Sequence, residues 1–543
     1  MPEPESDLLS DWLQRTAAAT PDAPAVVEED RVTSFRELFE QAASLALRFV
    51  EHGIQKQDRI ALVLPKTTDA IVSVFASLLA GAIYVPIHPQ WPKERIETTL
   101  ADSAARLVIE GDSAGESNPP RIILRINDRQ TGASIPWQAE PTAPAGTAIR
   151  RLDSLPRADA GDPAFILFTS GSTGRPKGVV LSHRAVSAFV RWTAHEFQVC
   201  STDRIACPSP LGFDLSTFDI FNMALCGATC VLVPSHIVWM PRFLVQFVRE
   251  ARITCWYSVP SILSGMLQEG RLAQHDYPGL RLILFAGEVF PGPNVARLQA
   301  AVPQAVCANL YGPTETNVVT WYRVPRGFDG SQPLPIGHPC PYATVTVEAS
   351  SGELLAGGDS LMSGYWNRPG VQSGVRPEVR TDDTQRAFVT LEGERYYRTG
   401  DRVSLAPDGN YLFVGRLDRQ VKRRGFRIEL GEIETALARH EAILEAAAVA
   451  AEYGQTGTTI TAFVRARSEG AVTLVEAKAY CARTLPPYML PDHIVFLDTI
   501  PKGSRGKIDY VALAGIAQGL QHGAQGHGDQ DRGDQKRSPA IHR

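Results

Sequence analysis

The sequence predicts an α/β fold in which helices cover sheets of mostly parallel strands. Short apolar runs typical of buried strands alternate with longer amphipathic stretches; the runs lie at 60–64, 164–168, 229–233, 253–259 and 280–285. The chain has 543 residues, 44% hydrophobic and 21% charged, which is ordinary globular composition with material for a large core. We therefore expect one large domain of helix-flanked sheets and one smaller domain.

The texture of the sequence changes along the chain. Residues 111–150 are rich in Ser, Pro, Ala and Gly, which predicts an irregular surface excursion. From Leu334 onward, short strands between Gly and Pro turns predict a β-barrel-like subdomain. The chain becomes strongly charged near 415–418 and then contains a helical segment at 429–439.

These changes predict the domain boundaries. We place the main boundary at Asp418, so that residues 1–417 form the N-terminal core domain and residues 418–516 a small α+β C-terminal domain. Residues 517–543 are rich in Gln, His, Gly and Asp and contain few large apolar side chains. Because such a segment cannot bury enough surface to fold, we expect a disordered tail there.

Charge, hydropathy and cysteine spacing exclude several classes of protein. A net charge of −5 without a long basic run argues against nucleic acid as the main ligand, and no apolar stretch approaches the length of a membrane span. The first seven residues are acidic where a signal peptide would be basic and then apolar. The eight cysteines are scattered, and the close pair Cys226 and Cys230 lacks partners at zinc-ligand spacing. We expect reduced thiols and a cytoplasmic location.

One loop after the predicted strand 164–168 consists of residue types that bind anions: Thr169, Ser170, Gly171, Ser172, Thr173, Gly174 and Lys177. Glycines let backbone N–H groups approach an anion, hydroxyls donate hydrogen bonds and the lysine adds charge. The order differs from that of P-loop NTPases and of dinucleotide folds. Such a loop can also be a flexible connector, but the strand before it and the Arg-Pro-Lys-Gly-Val sequence around Lys177 favour phosphate binding.

Four further motifs follow in order. They are Asn-Leu-Tyr-Gly-Pro-Thr-Glu-Thr at 309–316, Tyr-Arg-Thr-Gly-Asp at 397–401, a segment at 415–429 that begins Gly-Arg-Leu-Asp, and Pro-Lys-Gly-Ser-Arg-Gly-Lys-Ile-Asp at 501–509. Taken singly, the first contains an ordinary turn and the third a run of cations typical of a solvated surface. Taken together with the phosphate loop, they resemble the motifs of the adenylate-forming enzymes, which include acyl-CoA synthetases, luciferases and the adenylation domains of nonribosomal peptide synthesis.

The resemblance implies ATP and Mg²⁺ as cofactors and assigns the phosphate loop to ATP. In the nucleotide motif, Tyr311 is expected to stack on adenine and Asn309 to meet the base edge. Thr314 is expected to contact the α-phosphate and Glu315 to hold Mg²⁺. The last assignment agrees with the preference of Mg²⁺ for carboxylate oxygen beside phosphates.

The resemblance also implies two half-reactions and a mobile C-terminal domain. Asp401 and Arg416 are expected to bind the ribose. Lys507 is expected to enter the active site and to offset charge repulsion while a carboxylate attacks the α-phosphate. Rotation about Asp418 would then withdraw this lysine and admit a pantetheine arm past Gly425.

Asp214 indicates which kind of acid is activated. In the amino-acid-activating branch, a carboxylate at this position pairs with the α-ammonium group, and a buried carboxylate without a cation is costly. Phe213 would flank the carboxylate and the thiol tunnel. By resemblance, the substrate pocket is lined by Asp214, Leu215, Phe218, Tyr257, Leu284, Ala286, Leu310, Val318, Val319 and Lys507.

This lining is apolar apart from its two charged ends and the Tyr257 hydroxyl, so it suits a compact uncharged side chain. It resembles the pocket of free-standing prolyl-adenylating enzymes that load a carrier protein before the ring is oxidised to pyrrole-2-carboxylate. It departs from them at Phe218 and Val319, where Leu and Cys are usual. We expect L-proline, although Phe218 would narrow the pocket toward alanine.

Two other functions compete with this interpretation. An acyl- or aryl-CoA ligase shares the nucleotide machinery, but it has no use for Asp214. A non-catalytic descendant would have lost a motif residue, whereas Glu315, Asp401 and Lys507 are all present. Ser360 ends a Gly-Gly-Asp-Ser sequence like that of a carrier protein, but its surroundings resemble a turn-rich segment of the adenylation fold. With only the expected tail after the last motif, the phosphopantetheine-bearing carrier is expected from a separate chain.

Overall fold

The computed structural model describes residues 6–111, 122–126, 134–137, 155–171, 175–366, 381–453, 457–468, 470–503 and 507–525. The chain divides into two compact units. The first comprises residues up to 89 with 99–168 and 177–417, and the second comprises 418 onward with the short segments 90–98 and 169–176. Each unit encloses its own hydrophobic core.

The described helices are α1 (Leu9–Ala19), α2 (Phe35–Glu51), α3 (Thr68–Leu79), α4 (Lys93–Ser103), α5 (His183–Glu196), α6 (Ser216–Cys226), α7 (Pro241–Glu250), α8 (Pro260–Gln268), α9 (Gly292–Ala301), α10 (Thr381–Ala387), α11 (Leu430–Ala438), α12 (Leu474–Thr484) and α13 (Tyr510–Gln525). Their ends follow from local sequence. Ser34 and Glu37 form a reciprocal capping box that starts α2. Gly227 ends α6 because its left-handed backbone, at φ 73°, cannot continue the helix.

The described strands are β1 (Pro24–Glu28), β2 (Arg31–Ser34), β3 (Arg59–Val63), β4 (Ile83–Pro86), β5 (Leu107–Gly111), β6 (Ile122–Ile126), β7 (Ser134–Trp137), β8 (Pro163–Thr169), β9 (Lys177–Ser182), β10 (Arg204–Cys207), β11 (Thr229–Leu232), β12 (Cys255–Ser258), β13 (Leu282–Ala286), β14 (Val306–Tyr311), β15 (Thr320–Arg323), β16 (His338–Pro339), β17 (Ala343–Val347), β18 (Glu353–Gly358), β19 (Gly364–Tyr365), β20 (Phe388–Leu391), β21 (Glu394–Leu405), β22 (Tyr411–Arg416), β23 (Gln420–Arg423), β24 (Phe426–Glu429), β25 (Ile443–Tyr453), β26 (Gly457–Ala466) and β27 (His493–Phe496). The five strands predicted from apolar runs are all present, with ends that shift by at most two residues.

Two large sheets form the first unit. One has nine strands in the order β16-β15-β14-β13-β12-β10-β11-β1-β2, and the other has eight in the order β19-β9-β8-β4-β3-β5-β6-β7. The central pairs from β10 to β14 are parallel, and every residue of β11, β12 and β13 is buried. Strands buried on both faces need apolar side chains at every position, which explains their unbroken hydrophobic runs. The predicted α/β class is confirmed.

The edge of the eight-stranded sheet corrects one expectation. Residues 111–150 were predicted to be irregular, but β6 pairs antiparallel with β5, and β7 pairs antiparallel with β6. The prediction gave too much weight to the Ser, Pro and Gly residues around this segment. It gave too little weight to a short Ile-Ile-Leu run, which has high strand propensity. The rest of this segment up to residue 154 lies outside the described residues.

A third sheet forms the predicted β subdomain. It is antiparallel, with the order β17-β18-β21-β20, and β22 pairs with β21. Ser360 follows β18 and is fully buried. A buried serine in a turn cannot carry a phosphopantetheine arm, so the carrier-like sequence that ends there is part of the fold.

The second unit has a smaller α+β arrangement. Strands β23 and β24 form a hairpin, and β25, β26 and β27 form a three-stranded sheet beside α11, α12 and α13. The prediction of a disordered tail from residue 517 is wrong for residues 517–525. Helix α13 continues to Gln525, and Ala517 packs in a small core with Leu513. Residues 526–543 lie outside the described residues.

All eight cysteines are free thiols, and six of them are buried. Among the helices of the described ranges, none combines the length and the apolar character that crossing a membrane requires.

Candidate functional site

Asp401 lies at the centre of a buried hydrogen-bonded group. It is only 1% exposed on β21, and its two carboxylate oxygens accept hydrogen bonds from different donors. The Tyr311 hydroxyl donates to Oδ2 at 2.5 Å, and Arg416 Nη1 donates to Oδ1 at 2.5 Å. Strand register explains the second bond, since Asp401 and Arg416 are direct partners across β21 and β22. Burial, reinforced by the Asp401 charge, raises the pKa of Tyr311, so the phenol remains a donor.

A second carboxylate holds the backbone that leads to Asp401. Glu353 lies at the start of β18 and is largely buried. It accepts a hydrogen bond from Arg398 Nη1 at 2.7 Å and another from the Gly400 backbone N–H at 2.9 Å. Because Gly400 directly precedes Asp401, its bond to Glu353 helps to fix the direction of the Asp401 carboxylate. Its own sequence context gave no signal for this role.

Asn309 and Tyr311 lie on the same face of β14, two residues apart. The Asn309 side chain is mostly buried, and its Nδ2 donates to the Pro335 carbonyl at 2.8 Å. This bond fixes the plane of the amide. Tyr311, Asp401 and Arg416 thus form one hydrogen-bonded group, and Asn309 lies two residues from Tyr311 on the same strand.

Glu315 lies in a tight turn after β14. The turn requires glycine at its start, since a Cβ at Gly312 would lie 1.6 Å from the Asn317 carbonyl oxygen. Glu315 is 1% exposed, and its Oε1 accepts a hydrogen bond from the Tyr365 hydroxyl at 2.8 Å. Thr314, its neighbour, is partly exposed.

The donor chemistry at Glu315 fits Mg²⁺. In the described part of the chain no three His, Cys, Asp or Glu side chains group into a metal cage. Mg²⁺ usually keeps several waters and binds one or two carboxylates plus substrate phosphates, so a single oriented carboxylate beside a nucleotide site suits it.

The phosphate loop connects β8 to β9. Thr169 ends β8 and Lys177 begins β9, with its Nζ 5.2 Å from the centroid of the Tyr365 ring. Ser170 is buried and belongs to the second unit. Its hydroxyl donates to the Arg427 carbonyl at 2.6 Å. The next residue, Gly171, is also buried. Ser172, Thr173 and Gly174 lie outside the described residues.

The predicted substrate pocket is assembled from adjacent strands. Tyr257 on β12 is the direct register partner of Leu284 on β13, and Ala286 on β13 is the partner of Leu310 on β14. Phe218 on α6 packs edge-on against Tyr257, with ring centroids 5.5 Å apart. The buried members of the predicted set are Leu215, Phe218, Tyr257, Leu284, Ala286, Leu310, Val318 and Val319.

Asp214 and Phe213 precede α6 and are only half-buried. The backbone carbonyl of Asp214 accepts a hydrogen bond from Thr217 Oγ1 at 2.5 Å, which fixes the turn into the helix. Burial, and next the charge of Asp214, raises the pKa of Tyr257. The Asp214 charge therefore acts on the one hydroxyl of the predicted apolar lining.

A second acidic residue lies close in the sequence, on α6. Asp219 is fully buried, and burial raises the pKa of its carboxyl well above the usual range, so the neutral acid is favoured. Lys66 Nζ lies in the same interior and donates to the Cys207 carbonyl at 2.5 Å. The interior position of Asp219 favours its neutral form, and Asp214 stays the residue that is predicted to pair with a substrate ammonium group.

Three predicted residues belong to the second unit. Asp418 Oδ1 accepts a hydrogen bond from the Gln420 N–H at 3.1 Å. Gly425 has φ 80° in the turn between β23 and β24, a backbone conformation that favours glycine. The carbonyl of Lys507 accepts from Gly503 N–H at 2.8 Å. The roles of these residues as hinge, tunnel and catalytic lysine remain predictions.

The fold and these motifs define an adenylate-forming enzyme. The chain belongs to the AMP-binding enzyme family, whose model matches residues 13–366, and the AMP-binding enzyme C-terminal domain matches residues 432–507. ATP and Mg²⁺ are the cofactors of this family.

Particular relatives share nearly the whole chain. An L-proline--[L-prolyl-carrier protein] ligase of Pseudomonas fluorescens is 35% identical over 94% of this chain and 100% of its own. The ligase of the same name from Streptomyces coelicolor is 36% identical over 91% of this chain and 94% of its own. The crystal structure of IdnL1 is similar at a TM-score of 0.73 and 29% identity, covering 92% of this chain and 100% of that one.

Proposed function

We propose that this protein activates L-proline as prolyl-AMP and transfers the prolyl group to the phosphopantetheine thiol of a carrier protein. One observation carries the choice of an amino acid: the charge of Asp214 acts on Tyr257, whose ring packs against Phe218 among the buried apolar residues of the predicted pocket. A carboxylate beside such a lining attracts a cation, and the ammonium of an amino acid supplies one. The names of the two relatives support proline as the particular acid.

In the first half-reaction, a proline carboxylate oxygen bonds to the α-phosphorus of ATP, and the bond from that phosphorus to pyrophosphate breaks. Asp401 and Arg416 hold the ribose, and Thr314 contacts the α-phosphate. Lys507 offsets the repulsion between carboxylate and phosphate where negative charge gathers in the transition state. Mg²⁺, when bound at Glu315, neutralises charge on the departing pyrophosphate.

In the second half-reaction, the thiol sulfur bonds to the acyl carbon as it loses its proton, and the bond from that carbon to the AMP oxygen breaks. This step needs Lys507 withdrawn and a passage for the pantetheine arm. Rotation about Asp418 would provide both, with the small backbone of Gly425 lining the passage.

The carrier is proposed to be a separate protein, because this chain covers the whole of a relative whose name distinguishes the ligase from its carrier. We place the reaction in the cytoplasm, where ATP is available.

Alanine is the second candidate substrate. The bulky Phe218, fully buried against Tyr257, narrows the pocket at a position where prolyl-adenylating enzymes usually have Leu. One methylene is worth about 1–3 kcal/mol of discrimination, so both amino acids belong in the test.

The test is ATP–pyrophosphate exchange with proline, alanine, glycine and cyclopentanecarboxylate, followed by transfer to a phosphopantetheinylated carrier or to free coenzyme A. We expect exchange to be strongest with proline, and transfer to the carrier. Exchange with cyclopentanecarboxylate as fast as with proline, with coenzyme A as acceptor, would replace this proposal with an acyl-CoA ligase.

A further inference from the structure

Tyr365 touches two of the predicted site residues, Glu315 and Lys177, although no motif assigns it a role. Its hydroxyl donates to Glu315 Oε1 at 2.8 Å, and the face of its ring lies 5.2 Å from Lys177 Nζ. The side chain is 5% exposed. A single buried phenol thus meets both the predicted metal carboxylate and the cation of the phosphate loop.

The backbone around Tyr365 is fixed on several sides. Gly364 and Tyr365 form the short strand β19, in which Tyr365 pairs antiparallel with Val179, two residues after Lys177. The Tyr365 N–H donates to Thr384 Oγ1 at 3.2 Å. The position of the ring is therefore set by the same strand that begins with the loop lysine.

Glu315 is tied to this segment twice. Its backbone carbonyl accepts a hydrogen bond from the Met362 N–H at 2.8 Å, and its carboxylate accepts the one from Tyr365. Backbone and side chain of Glu315 are both held by residues 362–365, so a shift of Tyr365 changes the direction of the carboxylate.

A phenol suits this place for an electrostatic reason. A lysine or arginine beside Glu315 would neutralise the carboxylate and weaken its attraction for a metal ion. The neutral hydroxyl orients the carboxylate and leaves its charge in place, as partners of metal-binding carboxylates commonly do. The face of the ring, which carries partial negative charge, attracts the ammonium of Lys177.

We propose that Tyr365 is a positioning residue that holds Glu315 in the direction needed to bind Mg²⁺ and holds Lys177 near the nucleotide phosphates. The inference rests on the proposed function, since it takes Glu315 as the Mg²⁺ ligand of that mechanism and Lys177 as part of the predicted phosphate loop. It adds a separable claim: the hydroxyl serves the metal site and the ring serves the lysine.

Two variants separate these contributions. Tyr365→Phe keeps the ring under Lys177 and removes the hydrogen bond to Glu315, whereas Tyr365→Leu removes both contacts. Tyr277→Phe is the matched control, because Tyr277 is likewise 5% exposed and its hydroxyl has no hydrogen-bond partner among the described residues. Thermal unfolding would verify that each variant folds; if Tyr365→Leu does not, the Phe variant still decides the claim about the hydroxyl.

The first measurement is calorimetric binding of α,β-methylene-ATP with and without Mg²⁺, and the second is the Mg²⁺ concentration for half-maximal proline-dependent exchange. For Tyr365→Phe we expect about a tenfold or greater increase in the Mg²⁺ requirement, with binding of the metal-free analogue unchanged. Tyr365→Leu should also weaken binding of the metal-free analogue.

An unchanged Mg²⁺ requirement in Tyr365→Phe, or an equal increase in Tyr277→Phe, would overturn the inference. If the native protein shows no amino-acid-dependent exchange, the proposed function fails instead. The calorimetric comparison still tests Tyr365 in that case, because it needs only nucleotide and metal.

Discussion

Replacing Asp214 tests the amino-acid assignment most directly. Asp214→Ala leaves the proline ammonium without its partner at the edge of an apolar pocket. Removing one member of a buried ion pair costs about 3–5 kcal/mol, and because Asp214 is half-buried we expect the lower end of that range. A loss of about 3 kcal/mol corresponds to roughly a 100-fold decrease in kcat/KM, since 1.4 kcal/mol is tenfold.

The assay is proline-dependent ATP–pyrophosphate exchange over a range of proline concentrations. Asp22→Asn is the matched control, because Asp22 is an exposed carboxylate paired with Arg36 at the surface. Surface substitutions of this kind change stability by less than about 0.5 kcal/mol, so the control should behave as the native protein.

A substrate without the amine sharpens the test. Cyclopentanecarboxylate has the shape of proline but lacks the ammonium group that Asp214 is proposed to meet, so the native protein should prefer proline strongly. In Asp214→Ala this basis for discrimination is lost, and activity with cyclopentanecarboxylate should rise relative to proline. Equal activity of the native protein with both acids, or an unchanged preference in the variant, would refute the pairing of Asp214 with an ammonium group.

The remaining predictions concern the lysine, the hinge and the pocket wall. Lys507→Ala should abolish adenylate formation but leave transfer from supplied prolyl-AMP to the carrier largely intact; equal loss of both steps would contradict domain rotation. Asp418→Pro should slow transfer more than adenylation, because proline fixes φ and restricts a hinge. Single-turnover transfer at the native rate would remove Asp418 as the pivot. Phe218→Leu should widen the pocket and raise the proline-to-alanine ratio of kcat/KM by about tenfold, on the scale at which an apolar pocket discriminates small differences in side-chain size. A lower ratio would mean that Phe218 does not limit the pocket.

The sequence predicted the strands of the large sheets because they depend on a local pattern. Unbroken apolar runs located β11, β12 and β13, where every side chain is buried. The residues of the predicted pocket came instead from the resemblance to adenylate-forming enzymes, and the structure adds that parallel register places Tyr257 beside Leu284. Periodicity was sufficient for the strands alone.

The sequence could not predict contacts between distant segments. Tyr365 and Glu315 are 50 residues apart, and Glu353 and Gly400 are 47 apart, yet each pair is hydrogen-bonded. Neither Tyr365 nor Glu353 belongs to a motif with a polar pattern of its own. The extent of the last helix was missed for a similar reason, because Ala517 is small and its burial depends on packing against a sheet.

Asp401 shows how such distant contacts prepare a site that a motif only locates. A carboxylate has about four positions that accept hydrogen bonds, and here Tyr311 and Arg416 each use one on a different oxygen. In the proposed function, the two hydroxyls of the ribose would add to these existing bonds. Arg416 also offsets the buried charge, while the Tyr311 phenol orients it. A ribose would then meet a carboxylate whose direction is already fixed, and binding would not have to order it.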